Sequence, residues 1–219
     1  LPETLHPEYR PPITPGRWLE AWRLVISERM SLGYTIALTL LVGSLFGFIN
    51  SAQQIFFDVF KAPTIFTLIF ACVAGTMAFA SFINSRIVER LGTRKVSHWA
   101  LICFVLLASL HAAIAGLGFE SIWSFSLFQA AMMGCFGLSS ANFGAMAMEP
   151  VGAVAGTAAS LQGFISTVGG TLIGFAIGQH FDGSTVPVAF GYAILGILTL
   201  VTVFVTEKGR LFQPSHRAA

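Results

Sequence analysis

The sequence predicts an all-α membrane protein, a bundle of six transmembrane helices, and two observations carry the prediction. Six apolar stretches of about 20 to 26 residues follow one another between residues 32 and 205, and none contains Asp, Glu, Lys or Arg. Each is long enough to cross a hydrocarbon core of about 30 Å as a helix rising about 1.5 Å per residue. Composition agrees: 55% of the residues are apolar and 10% charged, and the mean hydropathy of +0.76 is outside the range of an ordinary soluble domain. Lipid is the expected solvent for most of the chain.

Residues 1–15 carry Pro2, Pro7, Pro11, Pro12 and Pro15, a density that excludes a helix and predicts an extended connector. Residues 16–30 can form an amphipathic helix with Trp18, Leu19, Trp22, Val25 and Ile26 on one side and Arg17, Glu20, Arg23 and Glu28 elsewhere. Such a helix lies either in the membrane interface or against the bundle. The spans are then 32–57, 64–84, 96–117, 122–143, 154–178 and 186–205. Short connections make neighbouring helices antiparallel and leave no room for a soluble domain. In the last connection Asp182 and Gly183 make a turn, Ser184 or Thr185 caps the final helix, and Pro187 suits its first turn. Past Val205 the chain turns polar, and 206–219 reads as a cytoplasmic tail.

Orientation follows from the cations. Six spans put both ends of the chain on one side. The turn at 85–95 on that side holds Arg86, Arg90, Arg94 and Lys95, whereas the three opposite connections hold Asp58, Glu120, Asp182 and the single Lys61. By the positive-inside rule the first side is cytoplasmic. The chain opens on Leu1 without a basic segment leading into an apolar run and a cleavage site, so it reads as no secreted precursor and need not be a whole gene product. Cys72, Cys103 and Cys135 all fall in apolar spans, where a thiol packs as a small hydrophobe, and neither a disulfide framework nor a metal site is expected. The patterns HExxH, GxSxG, GxxxxGK[ST] and CxxC do not occur. No enzyme, cofactor or nucleic-acid partner is therefore expected.

The residues that could carry function are the polar ones inside spans. Gly43, Gly47, Asn50, Gln54 and Phe57 share one face of the first span, with Gln53 beside it. An amide facing lipid leaves its hydrogen bonds unmade at a cost of several kcal/mol, so this face should meet protein or line a wet cavity. In the fourth span Gln129, Met132, Phe136 and Ser139 recur at helical spacing. Methionine and phenylalanine adapt to apolar ligands of varied shape, and they are equally ordinary core residues. The fifth span carries Ser166, Gly170, Gly174 and Gly178, a small-residue stripe that lets two helix backbones approach closely. Gln162, one step before the stripe, is its candidate binding residue. His111 is the imidazole deepest in a span, and an intramembrane ionisable group is a proton-relay candidate unless a neighbouring helix simply bonds it. No carboxylate within a span is available to pair with it.

Six helices, short connections and one basic turn between the second and third resemble half of a major facilitator superfamily transporter. Residues 85–94, Ser-Arg-Ile-Val-Glu-Arg-Leu-Gly-Thr-Arg, resemble that superfamily's loop motif G-x-L-a-D-R-x-G-R-R in its weaker second-half copy. Glu89, Arg90, Gly92 and Arg94 take the acid, base, glycine and base positions, while Ser85 replaces the first glycine and Thr93 an arginine. Residues 1–5 look like the sequence that closes the sixth helix and opens the central loop in drug:proton antiporters. Residues 142–150, Asn-Phe-Gly-Ala-Met-Ala-Met-Glu-Pro, and 155–163, Ala-Gly-Thr-Ala-Ala-Ser-Leu-Gln-Gly, are similar to the tenth-to-eleventh helix region of the Bcr/CflA multidrug efflux family.

The resemblance implies the C-terminal half of the fold, helices seven to twelve, with 1–31 as cytoplasmic central loop and amphipathic helix. The N-terminal six helices and their proton-carrying carboxylates then lie outside this chain. It implies a secondary transporter of the bacterial inner membrane that exports drugs or other small, mostly apolar molecules by proton antiport. Substrate sits near the midplane between halves that rock about it. On that reading Asn50, Gln53, Gln54, Gln129, Met132, Phe136 and Gln162 contact substrate, and Glu89, Arg90, Gly92 and Arg94 gate. A noncatalytic six-helix scaffold and a metabolite or sugar uptake transporter stay open as alternatives.

Overall fold

The computed structural model describes residues 15–213. They form seven α-helices: α1 (Pro15–Ser27), α2 (Arg29–Gln54), α3 (Pro63–Leu91), α4 (Thr93–Gly116), α5 (Ile122–Met148), α6 (Ala155–Gln179) and α7 (Val186–Thr206). The expectations for residues 1–14 and 214–219, and for the side chains of Arg17, Trp18 and Glu20, fall outside what is described. Five continuous helical segments are long and apolar enough to cross a membrane. The longest, Ile122–Gln179, comprises α5 and α6 joined by a 3₁₀ segment, Glu149–Val154, where Val151 leaves helical geometry at φ −115° and ψ 23°.

The start signals act as their chemistry dictates. Pro63 and Pro187 sit in first turns, where the missing N–H costs nothing. Ser121 and Ser124 form a reciprocal capping box at the start of α5. Thr185 holds the N-cap position of α7 without a side-chain cap bond, and the Ser184 hydroxyl before it accepts from the Val186 N–H at 3.2 Å. The same hydroxyl donates to Asp182 and holds that exposed carboxyl below its ordinary range.

Two boundaries correct the sequence reading. The basic stretch at 85–95 is not a loop, because α3 runs on to Leu91 and only Gly92 separates it from α4. Residues 85–91 contain no Gly or Pro to stop a helix. Gly92 does stop it, at φ 84° and ψ 150°, a conformation that side chains with a Cβ avoid. At the other end of the bundle α2 continues through a π turn, Ile55–Val59. The wider winding buries Ile55 and Phe56, and Phe56 and Phe60 both meet Phe125.

Helix α2 is the hub, packed on α5, α6 and α7, while α3 packs on α5, and α4 on α5 and α7. Tyr34, Leu41, Phe48, Leu101, Phe104, Met132, Phe143 and Tyr192 fill the core between them. Half of the apolar window of α2 is buried, against 17% for α3. Helix α1 rests on the bundle through Val25, which packs with Val151, Ala158 and Leu161, while Leu19, Trp22 and Ile26 stay exposed.

Candidate functional site

The small-residue stripe of α6 lies against α2. A Cβ on Gly174 would stand 2.5 Å from the Phe46 Cβ and 2.7 Å from the Gly47 nitrogen, and one on Gly170 would stand 2.5 Å from Val42 Cγ1. Ser166 is buried, and a Cβ on Gly178 would meet Asn50 at 3.3 Å. Gly43 and Gly47 are covered in turn by Ile173 and Ile177 of α6. Of the two alternatives the sequence left for the α2 face, its glycine stretch meets protein, since two glycine-bearing faces interlock there.

Beyond the interlocked stretch the face changes character. Asn50, Gln53 and Gln54 are exposed, in the last turn of α2 and against its π turn. Phe57 beside them is also exposed. Three amides together on the uncovered surface of an apolar helix are unaffordable in hydrocarbon. π turns inside helices recur at functional sites.

The other substrate-contact candidates lie inside the bundle. Met132 and Gln129 are fully buried and Phe136 is buried beside them. The Gln129 amide and the Tyr192 hydroxyl lie buried beside each other, and neither has another hydrogen-bond partner among the described residues. Gln162 is buried and occupied, donating to Ser31 Oγ at 3.2 Å and to the Ala147 carbonyl at 3.1 Å. That placement makes it a bridge from α6 to α2 and α5.

Charge concentrates at two opposite ends. At the near end, where α2 begins and α7 finishes, Arg94 is buried and bridges two carboxylates. Its Nε donates to Glu207 at 2.8 Å, and its Nη atoms donate to both oxygens of Glu149 at 2.9 and 3.3 Å. Tyr34 donates its hydroxyl proton to Glu207. His98 Nδ1 accepts from the Phe212 N–H at 3.1 Å, so its other nitrogen, 3.0 Å from the Tyr34 oxygen, is the donor of a neutral ring. Arg29 donates to the Thr206 carbonyl. The expected tail therefore begins as part of this cluster. Of the residues expected to gate, Gly92 makes the turn and Arg94 the bridge, while Glu89 and Arg90 are exposed.

At the far end His111 is fully buried, stacked on Phe128 at 5.0 Å and edge-on to Phe125. Glu120, from the α4–α5 connection, reaches its Nε2 and accepts from Thr185 through its second oxygen. No carboxylate within a span pairs with His111, and its partner comes instead from a connection, which a search of the spans alone misses. The buried amide pair Asn84–Asn142, exchanging bonds of 3.3 and 2.9 Å between α3 and α5, was also not anticipated. Each lies where a polar residue ends or interrupts an apolar run, and that was the available signal.

No family model matches the chain, and no solved structure matches it. It is similar to a bicyclomycin resistance protein homolog from Haemophilus influenzae, 28% identical over 212 residues that cover 95% of this chain. The chain spans about half, 52%, of the length of that relative. This likeness bears out the resemblance expected from the motifs.

Proposed function

We propose that the chain is the C-terminal half of a drug exporter of the Bcr/CflA type within the major facilitator superfamily. It crosses the membrane six times and works by proton antiport across a bacterial inner membrane. The observation that carries the reading is the likeness to a bicyclomycin resistance protein homolog along nearly the whole chain. Geometry supports six crossings, since α5 and α6 hold 27 and 25 residues, each length sufficient for one span. The near end, with Arg86, Arg90 and Lys95 exposed, is then cytoplasmic.

The exposed amides support a docking face for the N-terminal half at this end of α2. Asn50, Gln53 and Gln54 belong at the surface between the halves, where substrate hydrogen bonds replace those that lipid cannot supply. Gln129, Met132 and Phe136 remain candidates for substrate contact from inside the bundle, whereas Gln162, bonded to Ser31 at the start of α2, lies at the opposite end of that helix from the exposed amides. His111, held by Glu120, is a candidate for storing a proton, while the principal carrier belongs to the other half. The test is efflux of a fluorescent, mostly apolar drug from cells carrying the intact protein. Efflux that stops when a protonophore collapses the gradient supports the reading, and efflux indifferent to the gradient contradicts it.

A further inference from the structure

We propose that the wedge between α3 and α4 binds an anionic phospholipid, one acyl chain lying in the wedge and the headgroup phosphate at Lys95. The site rests on the reading that these helices cross a bilayer; it does not depend on drug transport.

Helices α3 and α4 are joined by one residue, yet beyond that turn each packs on α5 rather than on the other. The wedge they leave is floored by Cys135 and Leu138 of α5 and walled by Leu91, Trp99 and Cys103, with a volume of about 420 Å³. Only Lys95, at its near end, brings a charge into it. From Lys95 to Cys103 is about 12 Å along α4, within the roughly 15 Å of hydrocarbon that one leaflet contributes. A wedge facing lipid cannot hold water against apolar walls, and left unfilled it forfeits dispersion contacts that a flexible hydrocarbon chain restores.

The near end of the wedge selects the headgroup. A smaller polar hollow of about 210 Å³ adjoins it, sharing Leu91 and Lys95 and continuing over Thr93 to Arg94 and Glu149. Glu149 is bonded through both oxygens to Arg94, which also serves Glu207, so this cluster keeps one negative charge and Glu89 adds a second, against three positive charges from Lys95, Arg86 and Arg90. Lys95 is exposed and pairs with no carboxylate among the described residues, and Arg86 and Arg90 add positive charge on the last turns of α3. Trp99, 60% exposed, stands on the lip, the position aromatic rings take at headgroup level. An apolar trough ending in a polar hollow at one cation matches a single lipid, and basic hollows between membrane helices on the cytoplasmic side bind anionic headgroups.

The intact protein, purified in detergent, is titrated with phosphatidylglycerol and with phosphatidylcholine of the same chains, and retained lipid is counted by native mass spectrometry. Phosphatidylglycerol is retained in preference, and Lys95→Gln lowers its affinity about fivefold. Cys103→Trp, which fills the wedge from an exposed position, abolishes retention of both lipids. Alkylation of Cys103 by a lipid-soluble maleimide slows when phosphatidylglycerol is added, while Cys72, outside the wedge, reacts at an unchanged rate. Equal retention of the two lipids, indifference to both substitutions, or protection of Cys103 by a transported drug but not by lipid overturns the proposal. All these readouts are independent of the proton gradient, so loss of gradient-driven efflux leaves them standing.

Discussion

Arg94 at the near end is shared by two carboxylates from the ends of α5 and α7, whereas His111 at the far end meets one carboxylate from a connection. An arginine never gives up its proton, so the near cluster is a permanent clamp, and its Glu207 corner is further bonded by Tyr34. The far cluster holds a fully buried imidazole whose Nδ1 has no partner among the described residues. The difference separates an end tied by two ion pairs to one cation from an end tied by a single carboxylate. Between them the α2–α6 interlock carries no charge and holds by close approach, with the Gln162–Ser31 hydrogen bond at its near end.

Removing the clamp has the largest expected effect. Arg94→Ala leaves Glu207, 11% exposed, without its cation, and breaking a buried pair from one side costs about 3 to 5 kcal/mol. The lower part of that range applies, because the Glu149 side chain is 40% exposed and can be solvated. The check is the thermal unfolding midpoint of the purified protein, which an equal fall in Arg90→Ala would disqualify as specific. Next is Gly174→Leu, whose side chain meets backbone and cannot be accommodated by a rotamer change. Overpacking costs about 1 to 3 kcal/mol, read as lowered yield of folded protein, with Leu172→Ala on the exposed side as control.

Smaller effects sharpen the contrast between the ends. Thr185→Val removes one hydrogen bond from Glu120 and costs about 1 kcal/mol, while leaving the near end intact. Arg90 is exposed, so Arg90→Ala shifts stability by no more than about 0.5 kcal/mol. If Arg90 gates, the same variant slows transport with drug affinity unchanged. A large loss of affinity would place it in the binding surface instead.

Periodicity made the apolar helices and the stripe from Ser166 to Gly178 legible, because burial in lipid and backbone approach both leave local marks in sequence. What escaped was long-range. Arg94 lies 113 residues from Glu207 and 55 from Glu149, and no local pattern links them. Glu120 was closer to hand, nine residues past His111, but the connection holding it folds back over the helix end. The amides of α2 were visible, yet not the division of their face, where the glycines interlock with α6 and the amides stay uncovered. That division depends on how far α6 extends along α2, which only the packed structure displays.

The uncovered amides carry the central claim, and it is tested most directly by resistance profiles of expression-matched Asn50→Ala and Gln54→Ala variants of the intact protein against chemically different drugs. The account predicts a changed order of resistance. Compounds that hydrogen-bond the amide lose protection, by up to about tenfold for a bond worth roughly 1 kcal/mol or slightly more, and purely apolar compounds are spared. An equal loss for every compound, or no change for any, would contradict it.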